Sequence, residues 1–437
     1  MSGRRVVITG LGVVTPAGIG IQEFWQAMVA GRQAVRKIAL FDASGFPCSI
    51  GGEIEGFSAS KFVPKSYRKS VKVMARDIEI AVAAADLAFR DSGIVTRGID
   101  GQKPDVDSKR LGCNIGAGLI CADLNELGSA VTTAVTDGKF DLKKWGAGGI
   151  ENLTPLWLLK YLPNMLACHV TIVHGCEGPS NNITCGDASG HLCIGESARW
   201  IARGEADVVI AGGAESKLNP MGFLRQHLLD RVVKGGNDRP AEACRPFDTD
   251  HAGTVVGEGG GLVILEDLDR AKARSAKIYA ELAGSGSACD PGGIEVTKPN
   301  VGGMELAVRK AVEQAGITPR DIGVLVAHGT GVPGEDRLEA RAWREALGDI
   351  AEKTPAFAMT GAVGSLFAGA GGVELAAAAM ALDTQTVPPT ANFAAADDAC
   401  PMGLSRERRD GRISYALTAA FGIGGQSAAC VLKRYEQ

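Results

Sequence analysis

One turn, at residues 181–190, constrains the fold more than any other stretch of this sequence. A short strand leads into a glycine-flanked turn, and a helix predicted from Ser189 to Arg203 follows at once. Residues 206–214 then have the apolar pattern of a buried strand. A strand–turn–helix unit of this kind holds one side chain over a helix N-terminus, where the dipole favours an anion or a nucleophile. The residue at this tip is Asp187.

The size and composition of the chain limit the classes of protein to consider. A length of 437 residues is large for one core, so we expect two lobes of similar size. The net charge of -4 gives no support for a nucleic-acid partner. The 11 cysteines follow no metal-binding spacing, which predicts reduced thiols in a cytoplasmic protein and no metal site. The N-terminus leads directly into a strand and no apolar run reaches transmembrane length, so we expect neither a signal peptide nor a membrane span.

Predicted strands alternate with predicted helices along the whole chain. This alternation favours an α/β protein with a mainly parallel sheet and helices on both faces. The pattern restarts near residue 270, which predicts two copies of one α/β unit, residues 1–266 and 267–437. Residues 119–170 are apolar and mostly helical in pattern, and this insertion is long enough to wall a pocket or to form a subunit contact.

Several motifs, taken together and in order, make the chain resemble the β-ketoacyl-ACP synthases of the type II condensing-enzyme family. They include AGGAE at residues 211–215, AHGT at 327–330 and FGIGG at 421–425. The resemblance covers nearly the whole chain and implies the thiolase-like fold, in which two duplicated α/β halves form a five-layered αβαβα core, usually within a two-fold dimer. It implies no cofactor of the protein's own, since the phosphopantetheine arm of an acyl carrier protein carries the substrate.

The positions that match the family's catalytic residues depart from its pattern. The family needs a cysteine at the elbow tip, which takes the acyl chain as a thioester, and two histidines that assist decarboxylation of malonyl-ACP. The tip position is Asp187, the first histidine is present as His328, and the second falls on Ser365. A family lysine falls near Thr360, and its usual ionic partner matches Glu374. The resemblance therefore implies a site in which no catalytic set is intact.

Asp187 has more than one interpretation. A carboxylate cannot store an acyl group as a thioester, and its charge repels the carboxylate of a malonyl group. Asp187 could act as a plain N-cap of the following helix, because aspartate is a favoured capping residue. Alternatively, Asp187 and His328 could form an acid/base pair.

Four further residues are candidates for the wall of the substrate pocket. Cys185 could be a displaced nucleophile, although it is expected on the strand rather than at the tip. His191, one turn into the helix, is expected to pack or to line the pocket. Phe421 matches the family's gating phenylalanine, and Gly422 follows it, although a phenylalanine between a strand and a glycine turn is more often a core residue.

A basic run precedes the first long alanine-rich helix, and it has two interpretations. In most proteins such a run is a solvated face. The resemblance implies that a basic patch near this region meets the acidic acyl carrier protein, which complementary charge would favour. The run consists of Lys61, Lys65, Arg68, Lys69 and Lys72.

A retained scaffold with a dismantled site resembles the chain length factor, the inactive partner of a type II polyketide or polyene ketosynthase. We therefore expect a heterodimer with an intact ketosynthase, an acyl carrier protein as a further partner, and residues 119–170 as tunnel wall and interface. Chain length factors often carry glutamine at the tip, so aspartate leaves the subfamily open. The insertion residues expected to face inward are Trp157, Leu158, Leu162 and Met165.

Two alternatives to the chain length factor remain open. One is a homodimeric enzyme that uses Asp187 and His328 for decarboxylation, hydrolysis or non-covalent acyl transfer on acyl-ACP. The other is a non-catalytic module that binds an acyl chain or a carrier protein.

Overall fold

The computed structural model describes residues 3–292 and 302–436. Each half of the chain contributes five principal strands to one central sheet, and the two-residue strand Gly18–Ile19 is the eleventh strand of this sheet in the described residues. The first half supplies β1 (Val6–Thr15), β2 (Leu111–Gly116), β3 (Ser180–Ile183), β4 (Val208–Ser216) and β5 (Glu258–Asp267). The second half supplies β6 (Ala280–Cys289), β7 (Ile322–Ala327), β8 (Ala356–Ala358), β9 (Tyr415–Phe421) and β10 (Gln426–Arg434).

The two sets of strands have the same spatial order. The first set runs β3-β2-β4-β5-β1 and the second runs β8-β7-β9-β10-β6. The sets join where Val7 and Ile8 of β1 pair antiparallel with Glu281 and Ala280 of β6. This repeated order confirms the predicted duplication of an α/β unit. The predicted division of the chain after residue 266 stays a prediction.

The sheet is mixed, so the expectation of a mainly parallel sheet is wrong. Strand β2 is parallel to β3 and β4, and β7 is parallel to β8 and β9. The strands β5, β1, β6 and β10 form an antiparallel run through the middle. Connection length explains one of these antiparallel pairs. Strands β9 and β10 are joined by a short turn at residues 422–425. A parallel pair needs a crossover of about a dozen residues or more, whereas a short turn produces an antiparallel pair.

The longer helices alternate with these strands. They are α1 (Ile21–Val29), α2 (Arg76–Ser92), α3 (Leu124–Thr133), α4 (Met165–His174), α5 (Ser189–Ala202), α6 (Pro220–Leu228), α7 (Leu268–Ala273), α8 (Gly302–Gln314), α9 (Pro333–Leu347) and α10 (Ala370–Thr384). Short helical segments cover Ala59–Lys61, Lys65–Val73, Ser108–Arg110, Leu142–Lys144, Trp145–Gly149, Ile150–Asn152, Trp157–Tyr161, Pro240–Glu242, Pro319–Asp321, Ile350–Lys353, Thr360–Val363 and Phe367–Gly369. Two-residue strands lie at Gly18–Ile19, Arg36–Lys37, Ile50–Gly51, Val135–Thr136, Lys139–Phe140, Thr386–Val387 and Arg409–Asp410.

Helices α5 and α10 form the central layer of the fold. Apart from Glu374, helix α10 is apolar on all sides over residues 370–382 and buried there, as expected of a helix enclosed by protein. It contacts strands from both halves of the sheet, and it contacts helix α5. Helices α2 and α4 cover the outside of the first half, and α8 and α9 cover the outside of the second. These layers agree with the predicted five-layered αβαβα core.

The insertion at residues 119–170 is more irregular than its pattern suggested. It contains α3, a small hairpin and several single helical turns before α4 begins. Met165 packs against the core of the first half, and Trp157 and Leu162 are half-buried. The side chain of Leu158 is 52% exposed in the single chain, so it does not pack into the core of this chain. Its predicted place in a tunnel wall stays a prediction. Within the described residues, no helix is long and apolar enough to cross a membrane.

Candidate active site at the elbow

The elbow turns sharply between β3 and α5. Gly186 adopts a left-handed conformation with φ 56, and the hydroxyl of Ser189 accepts a 2.8 Å hydrogen bond from the backbone N–H of Cys185. Helix α5 begins at Ser189, and Asp187 lies at the tip, almost completely buried. No side chain of the described residues caps the first turn of α5. The N-cap interpretation of Asp187 is therefore wrong, because its carboxylate is directed elsewhere.

The carboxylate of Asp187 lies between two cations. Its Oδ2 accepts a 3.3 Å hydrogen bond from Nε2 of His328 and lies 3.5 Å from Nη2 of Arg231. Burial raises the pKa of Asp187. The hydrogen bond from His328 and the charge of Arg231 lower it by a larger amount, so the pKa of Asp187 lies below its usual range. The tip side chain is therefore a stable carboxylate with no thiol chemistry available to it.

Arg231 was not found from the sequence. It follows α6 in a loop, where its backbone C=O accepts a 2.7 Å hydrogen bond from the N–H of Thr254. Its guanidinium binds Glu335 through Nε at 2.7 Å and Nη2 at 2.8 Å. Burial opposes its charge, but the carboxylates of Glu335 and Asp187 raise the pKa of Arg231, so it is a cation. The sequence feature that could have predicted such a residue is Asp187, because a buried carboxylate requires a cationic or hydrogen-bonding partner.

His328 uses both of its ring nitrogens in the structure. Nδ1 lies 2.8 Å from the carboxylate of Glu374, and Nε2 faces Asp187. Burial disfavours the charged ring, but Glu374 and Asp187 raise the pKa of His328 well above its usual value. The imidazolium form donates to both carboxylates, so neither nitrogen is free to act as a general base.

The positions of the missing histidine and lysine are closely packed. Thr360 donates a 3.0 Å hydrogen bond to the backbone C=O of His328, and Ser365 is tied through its backbone to Val255 and Gly257. A cavity of about 10 Å³ remains beside His328, Ser365 and Glu374. This volume is about that of a single water molecule, so this cavity is too small for a substrate carboxylate.

His191 is brought into the same buried cluster but is not charged. Its Nε2 lies 3.1 Å from the hydroxyl of Thr418. Burial lowers the pKa of His191 to about 4. The 3.6 Å approach of its ring to Glu374 is therefore not an ion pair at neutral pH.

The other pocket candidates also lie at the elbow. The ring of Phe421 stands edge-on to that of His328, with centroids 5.9 Å apart. A Cβ added to Gly422 would lie 3.0 Å from the backbone oxygen of Cys185, so this glycine allows a close approach. Cys185 was expected on the strand, but it lies in the turn beyond β3, half-buried, and burial raises the pKa of its thiol. A raised pKa disfavours the thiolate that a nucleophile requires.

The basic run lies away from this buried cluster. Its residues occupy two short helical segments, and the five cationic side chains are all exposed. None of them forms an ion pair with another residue of the described parts of the chain. Residues 3–292 and 302–436 contain no group of three or more His, Cys, Asp or Glu side chains that could hold a metal ion.

Comparison with known proteins identifies the family. The model of the β-ketoacyl synthase N-terminal domain matches residues 3–271, and that of the C-terminal domain matches residues 279–394. The chain belongs to the β-ketoacyl synthase family. The chain is 33% identical to 3-oxoacyl-[acyl-carrier-protein] synthase 2 of Synechocystis sp., with 99% of each chain covered. It is 32% identical to the protein of the same name from Vibrio cholerae, over 99% of this chain and 100% of that one.

Solved structures of β-ketoacyl synthases superpose over the whole chain. The ishigamide ketosynthase/chain length factor has a TM-score of 0.85 at 25% identity, covering 99% of this chain and 100% of that chain. A β-ketoacyl synthase from Burkholderia phymatum also has a TM-score of 0.85, at 27% identity, with the same coverage of both chains. These matches confirm the thiolase-like fold of ketosynthases for this chain.

Proposed function

We propose that this protein is a non-catalytic subunit that pairs with an intact ketosynthase and acts as its chain length factor, in type II polyketide or fatty-acid-like chain elongation. The observation that carries the proposal is the carboxylate of Asp187, held between Arg231 and His328 where the family needs a thiolate. Attack of a carboxylate on a thioester would give an anhydride, which water hydrolyses. The tip therefore has no means of storing an acyl chain between the two half-reactions of condensation.

The surroundings of the tip support the same proposal. His328 is engaged by Asp187 and Glu374, and Ser365 offers only a hydroxyl where the family has a second imidazole. An oxyanion stabiliser must point at the position where charge develops, and here both ring nitrogens point at carboxylates. The residues that matched the catalytic set thus act in this proposal as supports of the scaffold.

A partner surface is available beside the elbow. Strand β3 is the edge strand of the first half, and Ser180 and Asn181 on it are exposed. The adjoining insertion carries exposed apolar side chains, which on a single chain indicate an interface. They are Leu119, Leu124, Phe140, Leu142, Ile150, Leu156 and Leu158. We place the ketosynthase partner on this face, with residues 119–170 forming part of the tunnel wall between the subunits.

The basic run supplies the docking site for the acyl carrier protein in this proposal. Five exposed cations that form no ion pair with other described residues give a local positive field on a chain of net charge -4. A type II polyketide ketosynthase bound to its acyl-carrier protein and a hexaketide is among the structures similar to this chain, with a TM-score of 0.85 at 26% identity. The carrier protein would deliver the chain to the partner's active site.

Co-expression with an intact ketosynthase tests the proposal. We expect a one-to-one complex on size exclusion that consumes malonyl-ACP, while this chain alone does not. Asp187→Asn keeps the size of the side chain and should leave the activity of the complex within about twofold, whereas replacing the partner's nucleophilic cysteine should abolish it. Failure to form a complex with any intact ketosynthase from the same genome would refute the proposal.

A second candidate function rests on the 3.3 Å contact between Asp187 and His328. The imidazolium of this pair could donate a proton in decarboxylation or hydrolysis of acyl-ACP, without a covalent intermediate. A homodimer that turns over malonyl-ACP or acyl-ACP by itself, and loses that activity in Asp187→Asn, would establish this function. Acyl-chain binding without any turnover, by this chain alone, would instead indicate a binding module.

A further inference from the structure

A groove on the surface lies at the end of the sheet opposite the elbow. We call it the basal groove; its volume is about 400 Å³, within the range of small-molecule sites. It is lined by the residue that precedes β1, by α7, by the start of β6, by the start of β9 and by the end of β10. Strand β9 begins in this groove at Tyr415 and ends at Phe421, whose ring stands against that of His328. The basal groove is therefore separate from the elbow cluster.

Cations outnumber carboxylates among the residues that line the basal groove, by four to two. One carboxylate, Glu281, is bound by Arg5, whose Nε and Nη2 donate to it at 2.7 and 2.5 Å. The other, Glu436, is exposed and lies 3.8 Å from Arg412, which is not part of the groove. Both carboxylates are thus engaged by arginines other than the remaining three cations of the groove.

These three cations have no carboxylate partner. Lys272 belongs to α7, and Lys433 and Arg434 end β10. None of them forms an ion pair with another of the described residues. Arg434 is half-buried, and its guanidinium donates no hydrogen bond to any residue that the structure describes. Donors that are partly removed from water and have no acceptor favour an anionic ligand.

Strand pairing shows which side chains share one face in the basal groove. Lys433 lies directly opposite Glu281 of β6 and opposite Tyr415 of β9, in both cases in an antiparallel pair. Opposite residues of an antiparallel pair project from the same face of a sheet. Tyr415 is half-buried and packs against the core of the second half, which holds its ring in place. A fixed aromatic ring on the same face as a free ammonium group fits a ligand that combines a flat ring with negative charge.

We propose that the basal groove binds a nucleotide that carries at least two phosphates. The phosphates lie against Lys272, Lys433 and Arg434, because a guanidinium donates to phosphate oxygens as a fork and an ammonium group attracts them as a point charge. The base stacks on the ring of Tyr415. The site involves neither the elbow nor the surfaces assigned to the ketosynthase and the carrier protein, so the inference does not rest on the proposed function.

Calorimetric titration of the purified chain with ADP, pyrophosphate and adenosine, in the absence of Mg²⁺, tests this inference. We expect one ADP to bind per chain, with an affinity that falls as salt is added. Pyrophosphate lacks the base and should bind about fivefold or more weakly than ADP. Adenosine lacks the charge and should bind about tenfold or more weakly.

Substitutions in the basal groove locate the bound nucleotide. The double variant Lys433→Gln/Arg434→Gln should weaken ADP binding by about tenfold or more, since it removes two charge-assisted contacts. Tyr415→Leu should weaken ADP binding but leave pyrophosphate binding unchanged. If Tyr415→Leu does not fold, Lys272→Gln, on the exposed surface of α7, should still weaken ADP binding by about threefold or more.

Lys353→Gln is the matched control. Lys353 is an exposed cation of the second half that does not line the groove, so this variant removes a positive charge and should bind ADP as the wild type does. Absence of binding of both ADP and pyrophosphate at millimolar concentration would overturn the inference. Equal affinities for these two probes would overturn the nucleotide and assign the groove to a free polyphosphate. Unchanged ADP affinity in the double variant would place the nucleotide on another surface and overturn the site.

Discussion

The guanidinium group of Arg231 lies 3.5 Å from the carboxylate of Asp187, and both side chains are almost completely buried. Glu335 binds the same guanidinium, while His328 and then Glu374 continue on the other side of Asp187. The result is a buried row of alternating charges. Asp187 and Arg231 come from the first half of the fold and the other three from the second, so the row joins the halves at the place where the family has its catalytic residues.

Removing the middle charge of this row should destabilise the protein. Asp187→Ala leaves two buried cations facing an empty position, and breaking a buried pair in this way typically costs about 3–5 kcal/mol of unfolding free energy. Asp187→Asn should cost less, because an amide can still hydrogen-bond both neighbours. Urea unfolding measures the difference. Glu305→Ala, which breaks an exposed pair with Arg309, is the control and should cost at most about 1 kcal/mol.

The stability of the protein should fall as the pH rises above neutrality. The folded pKa of His328 lies well above the value of about 6.5 expected in the unfolded chain. The contribution of protonated His328 to the free energy of unfolding is therefore complete below pH about 6.5. It decreases by about 1.4 kcal/mol per pH unit as the pH rises toward the folded pKa. The pKa of Asp187 is lowered, so the stability that its carboxylate contributes is lost only in acid. Asp187 therefore does not affect the change in stability above neutral pH.

His328→Gln should flatten the alkaline limb of a plot of melting temperature against pH. His174→Gln provides the contrast, because burial lowers the pKa of His174 to about 3. As the pH falls, His174 is protonated in the unfolded chain before it is protonated in the folded protein. It therefore destabilises the folded state only below pH about 6.5. Its replacement should change the acid limb alone. Parallel alkaline limbs for wild type and His328→Gln would show that His328 is not a buried cation.

The elbow and the repeat could be predicted because local patterns specify them. The strand–turn–helix around Asp187 is marked by its glycines and apolar periodicity, and α5 begins at Ser189 as predicted. The motifs around His328 placed a histidine, a serine and a glutamate at one site, although they are distant in the chain. The structure brings these side chains together, and Thr360 and Phe421 with them.

Other features depend on contacts that no local pattern records. Arg231 lies in an irregular loop, and only the folded chain places it between Glu335 and Asp187. The antiparallel centre of the sheet was missed because alternation of strands and helices does not reveal which neighbours pair.

Close packing of the central helix gives a prediction for Gly372. A Cβ added there would lie 1.8 Å from the backbone oxygen of Gly261 in β5, far below van der Waals contact distance. The clash involves the backbone of α10 and the backbone of β5, so a change of side-chain rotamer cannot relieve it. Gly372→Ala should therefore cost more than about 3 kcal/mol of unfolding free energy or prevent folding. Gly334→Ala, in the first turn of α9 with open space around the added Cβ, should be neutral or stabilise by up to about 1 kcal/mol. Thermal unfolding of the purified variants distinguishes these outcomes.

Charge reversal tests the basic run as the docking site for the carrier protein. Lys65, Arg68 and Lys69 lie on one exposed helical segment without ion-pair partners among the described residues. Reversing Arg68 and Lys69 to Glu should weaken binding of acyl-ACP by about tenfold or more at low salt, with a smaller loss at 0.5 M salt, since screening shortens the reach of surface charges to about 4 Å. Lys353→Glu, an exposed charge in the second half, should leave the affinity unchanged. Equal affinities for wild type and the double variant would place the carrier protein on another surface.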